Sequence, residues 1–200
     1  MLQIPVSMDK LTVEYTDVHI EFFIEYVTRE LKQNYYVKLE KGESQAFIFT
    51  VKVNRGSKWK LHISYQHIQH RLSLSNGYSL WLKIHPDHLH AFIDVFKTLR
   101  KNSSKVNFVR GEIAFDILRH LNNVLLIPKR KRNFRYVVNT TYYGERKDQG
   151  KTGYCHFYEK KKQLKDRKGI EIEGERSRVE IVWSPKFKER FLLSEFQFGR

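Results

Sequence analysis

The sequence predicts an α+β fold: a sheet-rich antiparallel single domain spanning residues 1–200, carrying a few packed helices and, if it subdivides, doing so near 101–106. Three observations lead there. Apolar and polar residues alternate with period two along most of the chain, two stretches show the 3.6 spacing of amphipathic helices, and the succession of strands and helices occurs twice, as an internal pseudo-repeat would. With 40% apolar and 14% aromatic residues, 200 residues can fill a real core.

The first strand is "KLTVEY", where Leu11, Val13 and Tyr15 alternate with Thr12 and Glu14. A helix follows, with Asp17 placed to start it and Ile20, Phe23, Ile24, Val27 and Leu31 on one face. From Tyr35 to Ile84, "YYVKL", "QAFIFTVKV", "WKLHISY" and "SLWLKI" read as a meander of antiparallel strands. Gly42, Asn54-Arg55-Gly56 and Asn76-Gly77 punctuate it. Pro86-Asp87 opens a second helix, with Leu89, Phe92, Ile93, Phe96 and Leu99 on its apolar face. The second round begins with the strand "VNFVRGEIAFDI" and a helical stretch around Leu118, Leu121 and Leu125, ended by Pro128. "NFRYVV", "TTYYGER", "GYCHFYEK" and "SRVEIVW" read as further strands, and a short helix from Pro185 closes the chain.

Thirty-seven Lys and Arg against 22 Asp and Glu give a net charge of +15, which points to a polyanionic partner, nucleic acid first. The charge is uneven. Pro128 to Lys168 holds 14 Lys/Arg and 4 acids, about +10 of the +15, and such a patch binds phosphates. A membrane surface is the rival polyanion, but no apolar run approaches the roughly 18 residues of a spanning helix and no signal-peptide pattern opens the chain. The lone Cys155 excludes internal disulfides and a cysteine zinc cage, as suits a reducing, cytoplasmic compartment.

In "VRGEIAFDI", alternation puts Arg110, Glu112, Ala114 and Asp116 on one face and Val109, Ile113, Phe115 and Ile117 on the other. Carboxylates two apart on a strand face lie about 7 Å apart at Cα, close enough to share a divalent ion. "SRVEIVW" repeats the pattern with Arg178, Glu180 and Val182. Two readings stand: solvated charges on an outer face, or, if the two strands are neighbours, a hard-oxygen site of Glu112, Asp116 and Glu180 suited to Mg²⁺ or Mn²⁺. His88 and His90 are two apart in a predicted helix, so their side chains diverge by about 200° and a surface role is expected.

In "GYCHFYEKKKQLKDRK", Tyr154, His156 and Tyr158 share one strand face, and Lys160 follows on the same side. A tyrosine phenol attacks a phosphodiester well only where a cation or metal offsets the negative charges. Ordinary packing beside a solvated charge run is the alternative. Exposed aromatics such as Tyr142 or Tyr143 could stack on unpaired bases.

Five segments in order, "DKLTVEY", "VRGEIAFDI", "TTYYGERK", "CHFYEKKKQ" and "SRVEIVW", resemble those of the Rep-trans rolling-circle replication initiators, also called the replication initiation factor family, which includes conjugative relaxases. The resemblance implies a metal-dependent nicking and joining enzyme, whose tyrosine becomes joined to a 5′ phosphate and leaves a free 3′ hydroxyl. By position it implies Tyr158 as nucleophile, Lys160 and Arg178 as phosphate-side cations, and Glu112, Asp116 and Glu180 as ligands of Mg²⁺ or Mn²⁺. Tyr143, Gly144 and Arg146 match the segment beside the site, and Glu112 stands where the family usually has Asp. Lys129, Arg130, Lys131, Arg132, Lys161 and Lys162, with Tyr143 and Arg146, are the expected DNA contacts. The implied partners are origin DNA, nicked or single-stranded, a host helicase and polymerase, and, as an open alternative, a second copy in a homodimer. Two rivals remain: a single-stranded nucleic-acid-binding module that breaks no bond, and a metal-dependent nuclease that uses water instead of Tyr158.

Overall fold

The computed structural model describes residues 4–41, 49–56, 59–67, 78–124, 126–127, 133–137, 140–186, 190 and 192. Among the described residues there are ten strands, and every described pairing is antiparallel. Two compact units emerge: Lys10–Val109 with Pro185–Arg200, and Met1–Asp9 with Arg110–Ser184. No described helix is long and apolar enough to cross a membrane.

The larger unit is built on most of β1 (Val6–Thr16), with β2 (Tyr36–Lys41), β3 (Phe49–Arg55), β4 (Trp59–His67) and β5 (Tyr78–Ile84), hydrogen-bonded in the order β2-β3-β4-β5-β1. The period-two pattern works as expected here: Val13, Val51, Val53, Leu61, Ile63, Leu80 and Leu82 are fully buried. Helix α1 (Ile20–Glu25), prolonged by a wide π-type turn Tyr26–Leu31, lays Phe23 against Tyr65 of β4 with ring centroids 5.9 Å apart. Asp17 does not start this helix. It takes the left-handed φ of 59° in the turn before it, its carboxylate accepts a hydrogen bond from Ser104, and His19 occupies the cap position.

The second predicted helix begins instead as a 3₁₀ segment, Pro86–Phe92, and becomes α-helical only over α2 (Ile93–Lys101). The change of pitch shifts the buried face to Ala91, Phe92, Val95 and Leu99 and leaves Ile93 exposed. His88 sits in the 3₁₀ segment, where its ring accepts from the Lys60 amide at 3.3 Å. Phe108 is fully buried. Phe108→Ala is expected to destabilise the protein by about 3–5 kcal/mol, read as a lowered urea midpoint with unchanged slope.

The smaller unit holds most of β6 (Val106–Ile117), then β7 (Phe134–Val137), β8 (Thr140–Tyr143), β9 (Cys155–Glu159) and β10 (Ser177–Trp183), in the order β6-β10-β9-β8-β7. Both units therefore pair a first strand with the fifth and then run fourth, third, second, which is the topology of the anticipated repeat. Among the described residues of the stretch predicted as a helix, 118–124, the chain makes a 3₁₀ turn, Leu121–Asn123, and Leu118 is exposed. The basic run after β9 forms helix α3 (Lys160–Lys168), stopped by Gly169 at φ 64°. One face of this sheet packs Cys155, Phe157 and Val179 with Phe115, Ile117, Leu121, Tyr143 and Ile181. The other face carries the charges. The Gly42 and Asn76-Gly77 turns, Leu125, Pro128 and most of the expected C-terminal helix lie outside the described residues.

Candidate active site

The site is assembled by register. β6 and β10 are antiparallel neighbours, with Arg178 opposite Asp116, Glu180 opposite Ala114 and Val182 opposite Glu112. β9 pairs with the other edge of β10, placing Tyr158 opposite Arg178 and His156 opposite Glu180. Because side chains alternate, Glu112, Asp116, Arg178, Glu180, His156 and Tyr158 all project from the face opposite the apolar cluster.

Glu180 is the hub. One of its carboxylate oxygens accepts the Tyr158 hydroxyl and the other meets His156 Nε2. Arg178 Nη1 lies 3.9 Å from the oxygen that Tyr158 uses. Asp9, Glu112 and Glu180 bring one oxygen each within 4.8 Å of one another, and both glutamates are buried. Buried carboxylates of one sign that close demand offsetting charge. Two arginines supply part of it: Arg110 pairs with Glu112, and Arg178 Nη1 donates to Asp9 at 3.2 Å. A divalent ion would supply the rest, and an all-oxygen donor set with a neighbouring imidazole fits Mg²⁺ or Mn²⁺.

Asp116 is not in that group. Both its oxygens are taken by Arg178, which grips them from Nε and Nη2 at 2.7 Å each. This pair holds the Arg178 pKa up and aims the guanidinium's remaining nitrogen at Asp9 and Glu180. Asp9 takes the place among the three carboxylates that strand pattern alone gave to Asp116.

Tyr158 is buried, 5% exposed, yet its hydroxyl ends in the ionic cluster and not in the apolar core. Burial first, then the Glu180 charge and hydrogen bond, raise its pKa above the ordinary 10.0. Lys160, the first residue of α3, places Nζ 3.5 Å from the phenol oxygen and 3.2 Å from Gln163 Oε1. Burial and the nearby Arg178 lower its pKa. The ring of His156 flanks Tyr158 at 5.9 Å.

The expected DNA contacts divide. Lys161 is half-buried, Lys162 is exposed on α3, and Arg146 is exposed in a 3₁₀ turn, Arg146–Asp148. Tyr143 points to the opposite face, into the apolar cluster. Its neighbour Tyr142 faces the site, 5.8 Å from His156. Lys129, Arg130, Lys131 and Arg132 lie outside the described residues. Gly150 matters for a steric reason: it has φ 102°, and a Cβ there would come within 2.9 Å of Arg110 Nη1. Gly150→Ala is expected to displace the Arg110–Glu112 pair, costing about 1–3 kcal/mol in thermal or urea unfolding.

Fold and site together define a class: an antiparallel α+β unit that gathers the Tyr158 hydroxyl, Lys160, Arg178 and the Asp9, Glu112 and Glu180 carboxylates beside one sheet face. Among solved structures the chain is similar to the rolling circle replication initiator protein from Geobacillus stearothermophilus, with 16% identity and a TM-score of 0.50 over 91% of this chain and 75% of that one. At this identity the likeness is one of fold. No family model matches the chain, and no curated protein matches it.

Proposed function

We propose that this protein is a rolling-circle replication initiator or relaxase that nicks and rejoins one DNA strand through Tyr158. The observation that carries the reading is the placement of the Tyr158 hydroxyl on Glu180, one of three carboxylates whose oxygens lie within 4.8 Å of one another. The shared fold with a rolling circle replication initiator and the +15 charge support it.

In the proposed reaction the Tyr158 oxygen forms a bond to the scissile phosphorus while the bond from phosphorus to the 3′ oxygen breaks. The strand's 5′ phosphate is then esterified to tyrosine, and the departing 3′ oxygen takes a proton and becomes a hydroxyl that a polymerase can extend. Rejoining reverses both bond changes. The phenol proton has a path along its hydrogen bond to Glu180, and Lys160, 3.5 Å away, is placed to stabilise the phenolate. Arg178, held rigid by Asp116, presents a fixed positive charge to the phosphate. Asp9, Glu112 and Glu180 would hold Mg²⁺ or Mn²⁺, which supplies charge neutralisation for the scissile phosphate when bound. Single-stranded or extruded origin DNA is the substrate, with a host helicase and polymerase acting at the nick.

The test is incubation with a supercoiled plasmid carrying the DNA that flanks the protein's own gene, in Mn²⁺ or in EDTA. The expected product in Mn²⁺ is an open circle with protein on its 5′ end, and none forms in EDTA. A nick with two free ends would replace the tyrosine by water, and binding without nicking on any DNA would leave only a binding module.

A further inference from the structure

The charged face extends beyond the site along a row fixed by register. Glu180 on β10 stands opposite His156 on β9, His156 opposite Tyr142 on β8, and Tyr142 opposite Arg135 on β7. Three strand steps of about 4.8 Å put Arg135 roughly 14 Å from Glu180 across the sheet. That span corresponds to at most about four stacked nucleotides at 3.4 Å each.

Arg135 differs from the other arginines of this face. Arg178 is matched by Asp116 and Asp9, and Arg110 by Glu112. Arg135 has no carboxylate within ion-pair distance among the described residues. Its guanidinium lies over the Tyr142 ring, 4.8 Å from the centroid, and donates from Nη2 to the Tyr154 hydroxyl at 3.2 Å. Nε is buried without a hydrogen-bond partner. A half-buried guanidinium held by rings and left without a counter-anion is costly unless an anion arrives. The same seat leaves the rest of its planar fork for a phosphate.

We propose that Arg135, seated by Tyr142 and Tyr154, is a subsite for a backbone phosphate of single-stranded DNA, a few nucleotides from the scissile bond. It is a positioning residue: it fixes the path of the strand across the face and touches no reacting atom. The proposal rests on the strand-transfer reading of this face, and its test does not require that reading to hold.

The probe is fluorescein-labelled dT16, titrated with the full chain in EDTA over a series of NaCl concentrations. Arg135→Gln is expected to weaken binding about 5–10-fold and to reduce the slope of log affinity against log salt by about 0.7, the contribution of one single-strand phosphate. Arg135→Lys keeps the slope, because it keeps the charge. A purely structural role would lower stability and leave the slope alone. If Arg135→Gln does not fold, the wild-type protein decides: dT16 should protect Arg135 from phenylglyoxal, mapped by mass spectrometry. An unchanged slope, or equal modification with and without dT16, overturns the subsite. Protection without a covalent adduct on any DNA keeps the subsite and removes strand transfer, and an adduct without protection does the reverse.

Discussion

Tyr158→Phe is expected to abolish the covalent adduct and to lower nicking by at least roughly 10⁴-fold, as loss of a nucleophile does. Only one oxygen is removed. The ring keeps its place beside His156 and under Lys160, so affinity for single-stranded DNA should stay within about twofold and stability should change by about 1 kcal/mol. That separation of binding from chemistry is what the two rivals cannot give: a binding module has no adduct to lose, and a water-using nuclease would keep cutting. The same site predicts a direction with pH. Because burial and Glu180 hold the phenol's pKa above 10.0, its reactive anion is scarce at neutral pH. The initial nicking rate in Mn²⁺ should therefore rise from about pH 6 to about pH 9, measured with a stopped-time gel assay.

Glu180→Gln should have the second largest effect. The substitution keeps the shape and removes one negative charge from the point where Tyr158, His156 and Arg178 converge. Loss of measurable Mn²⁺ binding by calorimetry is expected, with nicking reduced by about 10²–10³-fold. Asp116→Asn is the control that gives this result meaning. Its carboxylate is committed to Arg178, so Mn²⁺ affinity should stay within about threefold while nicking falls, because the guanidinium is no longer clamped from two sides. Equal losses of Mn²⁺ binding in both variants would make Asp116 a ligand and overturn the grouping of Asp9 with Glu112 and Glu180.

The strand pattern carried most of the fold into view. "VNFVRGEIAFDI" forms β6 over all its residues, and "SRVEIVW" likewise forms β10; both alternate charged with apolar residues through their charged stretches, although Ala114 and Val182 fall on the charged face and Phe108 and Val109 are both buried. Helices were less legible. Asp17 looks like a cap in one dimension, but the chain turns through a left-handed conformation there and the helix starts later. The lysine run of α3 has no apolar stripe to announce a helix, and its first turn is set instead by backbone hydrogen bonds from Lys160 and Lys161 to the Arg176 carbonyl.

At the site, alternation placed Glu112, Asp116, Arg178 and Glu180 on one face without revealing how they pair. Which carboxylate meets which cation depends on register between strands far apart in sequence, and that register gives Asp116 to Arg178. Asp9 was hidden for a related reason: counted by twos it falls in line with Leu11 and Val13, a core pattern, yet its carboxylate turns to Arg178. Arg135 carried no signal beyond its charge, since only the pairing of β7 with β8 seats it on Tyr142.

The most direct measurement is to incubate the protein and Mn²⁺ with single-stranded oligonucleotides tiled across the DNA flanking its own gene, digest the covalent product and locate the nucleotide by mass spectrometry. A nucleotide joined to Tyr158 through its 5′ phosphate is expected, with no adduct in EDTA. An adduct on another tyrosine, or binding with no adduct on any oligonucleotide, would contradict strand transfer by Tyr158.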